Sequence, residues 1–155
     1  MIGDYGTNYL YRAGVAYVGL AANTPDQALY YSGILDAHYL PLNGHVSYTL
    51  HCAPGQAPPT DPGGFWSLTV YNSAGQLVNF TTPNVYSNGP LVTRPDGSID
   101  VILSQQDPDD SGANWLQVPA GGFSVYLRIY APEPAAYEGI WLPPAIKRTS
   151  GFFGG

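Results

Sequence analysis

The chain has 155 residues, of which 11 are acidic and 5 basic, giving a net charge of −6 with 19 glycines and 15 prolines. Five scattered cations exclude a nucleic-acid-binding face, which needs clustered positive charge to displace counterions. An apolar content of 45% with 13 tyrosines can bury a core, which excludes the disordered class. The length fits one domain over residues 1–148, followed by a flexible Gly/Phe tail over 149–155.

Met1 leads directly into Ile2-Gly3-Asp4, without the basic start and long apolar run of a secretory signal. The stretch Thr7 to Ala22 predicts a helix packed on a sheet. Thr7 stands at the N-cap, and Leu10, Ala13, Tyr17 and Leu20 recur on one face. Its apolar part, from Ala13, is too short and too rich in Gly and Tyr to span a bilayer. Thr24-Pro25-Asp26-Gln27 has the form of a capping box and predicts a further short turn.

Beyond it the apolar period changes to two. Strands are predicted over 29–35, 45–51, 65–71, 91–94, 99–104 and 123–130, separated by turn signals such as Asn43-Gly44 and Pro95-Asp96-Gly97. Pro54, Pro58, Pro59 and Pro62 mark an extended surface loop. Short, regularly spaced strands predict a mainly β chain, an antiparallel β-sandwich of jelly-roll type with the N-terminal helix packed on it. The predicted core is Leu10, Ala13, Tyr17, Leu20, Val46, Leu50, Trp66, Leu68, Val70, Ile99, Val101, Leu103, Val125, Leu127 and Ile129.

Between Asp36 and Arg94 the single charged side chain is Asp61. Such a stretch lacks the repulsion that discourages association, and suits a self-associating face, a glycan-binding face or a sheet covered by its neighbours. Lysine occurs only at 147 and glutamate only at 133 and 138, a composition nearer to an extracellular or assembled surface than to a cytoplasmic one.

Few motifs carry chemistry. The lone Cys52 excludes a disulfide framework and reads as a spectator, with the adjacent His51 on the opposite side of the strand. His45 and His51 share a face but stand ~20 Å apart, too far for one metal; His38 and Asp36 do not complete a ligand set. Asp107, Asp109 and Asp110 begin like a calcium loop, yet Val118 falls where a bidentate Glu is needed. Asn79-Phe80-Thr81 is a glycosylation sequon. Nucleotide and cofactor fingerprints are absent, so no cofactor is expected.

The strongest constellation is the last long strand. Ser124, Tyr126, Arg128 and Tyr130 form one face, setting a cation between tyrosines. His45 with His51, Ser67 with Tyr71, and Asp100 with Ser104 form polar stripes on other strands. Joined in one sheet, they would make a tyrosine-rich surface for a sugar, a carboxylate or a partner chain, with Arg128, Tyr126, Tyr130, Asp100 and His45 as binding residues. The structural alternative pairs Arg128 with Asp100 or Asp36.

Several motifs in order, Gly3-Asp4-Tyr5-Gly6-Thr7-Asn8-Tyr9-Leu10-Tyr11-Arg12-Ala13, Phe65-Trp66-Ser67-Leu68-Thr69, Asn114-Trp115-Leu116, Leu127-Arg128-Ile129-Tyr130 and Trp141-Leu142-Pro143-Pro144-Ala145-Ile146-Lys147-Arg148, resemble the bacterial and fungal family catalogued as domain of unknown function 1214. The resemblance implies a jelly-roll sandwich that usually follows a domain of unknown function 1254 or a membrane anchor; this sequence shows neither and reads as a standalone chain. A non-catalytic binding or self-assembly module is the function expected first. An enzyme with a pocket drawing on Arg128, Asp100, His45 and Tyr126 stands next, and then a filament or shell subunit.

Overall fold

The computed structural model describes residues 5–18, 23–78, 84–110 and 112–149. Among these residues, eight strands form two four-stranded sheets stacked as a β-sandwich. The first contains β1 (Ala28–Gly33), β7 (Phe123–Pro132), β3 (Thr60–Asn72) and β4 (Asn84–Tyr86), in that order. The second runs β6 (Asn114–Gln117), β5 (Ile99–Ser104), β2 (Tyr48–Cys52), β8 (Ile146–Arg148). All pairings are antiparallel except β5 with β6, which is parallel.

Alternation along each strand builds the core. Phe123, Val125, Leu127 and Ile129 of β7 meet Trp66, Leu68 and Val70 of β3 on one inner face, and Leu50, Val101 and Leu103 on the other. The predicted core residues among these are buried, Phe123 joins them without having been predicted, and Val46 is only partly buried. Tyr48 was not predicted either, yet it is fully buried. Its hydroxyl accepts from the Asn43 amide at 3.0 Å and donates to the Asn43 carbonyl at 3.3 Å, which makes so deep a phenol tolerable.

The helix is the main correction. It spans α1 (Tyr9–Val18), with Leu10 86% and Tyr17 93% exposed and Ala13 exposed beside them. It therefore does not pack its apolar face on the sandwich. Each sheet already covers the apolar inner face of the other, so those faces are not open to the helix. Leu20 lies outside the described residues, as do Asn79 to Thr81 and residues 150–155. A second, short helix, α2 (Pro134–Tyr137), follows β7.

Strand boundaries moved where side chains meet backbone needs. Residues 91–94 form no strand, because the Asn114 side chain takes both the Val92 N–H, at 2.8 Å, and the Val92 carbonyl, also at 2.8 Å. The proline-rich loop ends earlier than its composition suggests. β3 starts at Thr60 and accommodates Pro62 at a register shift between Thr60 and Phe65.

Candidate functional site

The outer face of the first sheet is set by register. Arg128 lies opposite Tyr30 of β1 and Ser67 of β3, and Ser67 in turn lies opposite Tyr86 of β4. One step along, Tyr126 lies opposite Ser32 and Thr69. One step the other way, Tyr130 stacks on Phe65 with ring centres 4.7 Å apart. The Arg128 guanidinium sits 5.6 Å from the Tyr71 ring centre and 5.7 Å from that of Tyr126, and the two rings meet edge to face. Its Nη2 donates to the Tyr71 hydroxyl at 2.8 Å. Among the described residues no carboxylate pairs with it. In the strands of this sheet the only charged side chains are Asp61 and Arg128. Arg128, Tyr126 and Tyr130 therefore share a face as expected; Tyr71, on the polar stripe that alternation gave its strand, joins them as the bonding partner of Arg128.

Asp100 and His45 do not join them. Asp100 is on β5, in the second sheet, and His45 lies exposed in the turn before β2. The polar stripes thus occupy opposite outsides of the sandwich. Asp100 instead accepts from His51 Nδ1 at 2.6 Å and from Arg94 Nε, and Arg94 Nη2 donates onward to Asp110 at 3.1 Å. Burial pushes the Asp100 carboxyl up, but His51 and Arg94 outweigh it and hold it below the usual carboxylate range. With that carboxylate ionised, Nδ1 carries the hydrogen and Nε2 of His51 turns to solvent. The pair joins residues 49 apart in sequence, so only the β2–β5 register could have announced it.

Asp36 is likewise taken. It is buried, accepts from the amides of His38 and Leu40, and receives Arg148 Nε at 2.6 Å, which ties the loop after β1 to β8. Neither proposed partner of Arg128 is therefore available to it.

The metal candidates separate. Asp107, Asp109 and Asp110 are exposed, and no group of three His, Cys, Asp or Glu side chains capable of holding a metal occurs among the described residues. Cys52 is buried at the end of β2. Burial, with a smaller contribution from the Asp100 charge, pushes its thiol up to about 11, leaving no thiolate at neutral pH. No helix among the described residues is long and apolar enough to cross a membrane.

Two solved structures share the fold. The chain superposes on the VPA0106 protein of Vibrio parahaemolyticus with a TM-score of 0.75 and 23% identity, over 90% of this chain and 35% of that one. It superposes on an uncharacterized protein of Burkholderia cenocepacia with a TM-score of 0.56 and 16% identity, over 83% of this chain and 30% of that one. The chain thus spans about a third of the length of these proteins. No curated protein matches it. Residues 27–134, from the start of β1 through β7, match the family described as "Protein of unknown function (DUF1214)", and the chain belongs to that family.

Proposed function

We propose that the chain is a non-catalytic binding module whose working surface is the outer face of the first sheet, and that its ligand is glycan-like, rich in hydroxyls and carrying an acidic group. The observation behind this reading is the Arg128 guanidinium, held by tyrosines without a carboxylate beside it among the described residues. A cation on a sheet normally finds a counter-charge within its own chain. Here its bond goes to a neutral phenol, so an anion from outside meets an uncompensated charge and a bidentate donor edge. Tyr30, Tyr86 and Tyr130 around it offer rigid rings with hydroxyl tips, a composition typical of contact surfaces. The same nearly uncharged face suits a second copy of the chain, which makes self-assembly the related reading. The jelly-roll connectivity implied by the family resemblance belongs to this proposal too, supported by the two four-stranded sheets.

An enzymatic role ranks second and rests on the His51–Asp100 pair. That imidazole is oriented by a carboxylate as a general base would be. It lines neither the cavity of about 230 Å³ beside β4 and β6 nor that of about 250 Å³ beside β1 and β8, and no nucleophile bonds to it among the described residues.

The test is titration of an oligogalacturonate and its fully methyl-esterified, neutral counterpart into the wild type and Arg128→Gln. The acidic oligomer should bind the wild type at least about tenfold tighter than the neutral one. Arg128→Gln should lose that preference and keep its Tm. A fall in Tm of more than about 5 °C without a separable binding defect would return Arg128 to the scaffold.

A further inference from the structure

At the edge where β1 and β8 approach one another, the space between the sheets is open. A cavity of about 250 Å³ is walled by Leu50, Leu68, Val125 and Leu127 from the inner faces of both sheets, and by Pro144 and Ile146 from the segment that covers it. Leu50, Leu68, Leu127 and Pro144 also wall a narrow void of about 10 Å³ that continues to Trp66 and Cys52. Opening and deep core therefore share one apolar wall. Protein cores rarely leave voids larger than a water, and a closed apolar cavity of about 150 Å³ stays dry and admits benzene.

We infer that this opening is a binding site for a small, neutral, unbranched aliphatic molecule that enters tail first. The volume suits a chain of roughly eight carbons, by scaling from the benzene-sized cavity. The inner void, at about 10 Å³ too small for the chain to enter, closes the site at the wall it shares with Trp66, and a straight chain end reaches that wall where a branched or aromatic group is stopped short. The polar atom for a head group is the Tyr31 phenol, on the inward side of β1 opposite Leu127, whose bond to the Ala136 carbonyl is long, at 3.4 Å. No cation lines the cavity, and Arg148, two residues past Ile146, is committed to Asp36. A carboxylate head would lose water there and find no counter-charge, so the preferred head is neutral. The site is separate from the Arg128 face, since Val125 and Leu127 point inward while Tyr126 and Arg128 point outward from the same strand.

The test uses the full chain with 1-octanol, octanoate and 8-bromo-1-octanol at pH 7. Calorimetry should give saturable one-to-one binding of octanol, with octanoate at least about tenfold weaker. The terminal bromine should quench tryptophan emission in the wild type and lose most of that effect in Trp66→Phe. Leu35→Trp, which places a ring across the partly exposed rim, should weaken octanol binding at least about tenfold with Tm unchanged. Should that variant not fold, Ala145→Trp on the facing rim takes its place. Non-saturable uptake, equal affinity for octanoate, quenching indifferent to Trp66→Phe, or a folded rim variant that binds like wild type would each overturn the assignment.

Discussion

Arg128 was legible in the sequence because it is a rare cation in mid-strand between tyrosines. The arrangement of its neighbours was not, since it depends on which strands lie beside β7. Alternation separated exposed His51 from buried Cys52, while the His51–Asp100 pair stayed hidden for want of a register. Tyr48 shows the same limit. Its burial is decided by the Asn43 backbone groups it serves, and Tyr48→Phe should cost ~1–3 kcal/mol by leaving them unpaired, checked by urea unfolding. Acid sensitivity also belongs to single residues. Ser98 bonds hold Asp96 below the ordinary carboxylate value; for Asp36 and Asp100 burial opposes, and the Arg148 guanidinium with two amides, or His51 with Arg94, prevail. Carboxyls lowered in the fold supply stability that is complete above the unfolded value near 3.8 and lost as pH falls through the lowered ones. Thermal melts should therefore lose Tm steadily below about pH 4. Asp36→Asn and Asp100→Asn should each lower Tm at neutral pH and shallow that acid limb.

At the scale of elements, the long strands were readable because five or more residues of alternation fix a face. β4, β6 and β8, at three, four and three residues, are too short to alternate visibly. In α1 the periodicity named the apolar side and could not say whether anything covers it. A chain lacking residues 1–22 should accordingly keep its Tm within about 3 °C and bind less of a hydrophobic dye, as differential scanning fluorimetry and dye titration would record; a large loss of Tm would mean that the helix stabilises the sandwich. A different element boundary is pinned at Gly44. Its amide donates to the Gly121 carbonyl at 3.0 Å, its carbonyl accepts from Gln105 at 2.7 Å, and a Cβ there would collide with the Pro119 carbonyl. Gly44→Ala should destabilise by at least ~1–3 kcal/mol in chemical denaturation.

For the whole molecule, the run from 37 to 93, whose single charge is Asp61, reads as one surface and is divided by the fold. Residues 48–52 enter the second sheet, and 60–72 and 84–86 the first. The charges divide as well, with Asp100, Lys147 and Arg148 in the strands of the second sheet. Association, on the reading proposed above, uses the first sheet and owes little to electrostatics. Sedimentation velocity should show a dimer whose population is unchanged between 0.1 and 1 M NaCl, roughly a threefold change in Debye length. An interface of ~800 Å² per partner would suffice. A monodisperse monomer at high concentration, or a dimer that dissolves in salt, would count against it.

The placement of β7 bears on how this chain comes into being. β7 separates β1 from β3, so during synthesis neither of those strands has its main neighbour until residue 132 has emerged. The β2 strand can pair with β5 earlier, and its second neighbour arrives only with residues 146–148. Most of the nascent chain must therefore persist with unsatisfied strand edges, and pairings that span a hundred residues close slowly. Proline and glycine interrupt the long intervals between these strands, and charge does little to keep the waiting segments apart. The vulnerable moment for these two strands is the interval of translation just before β7 is released.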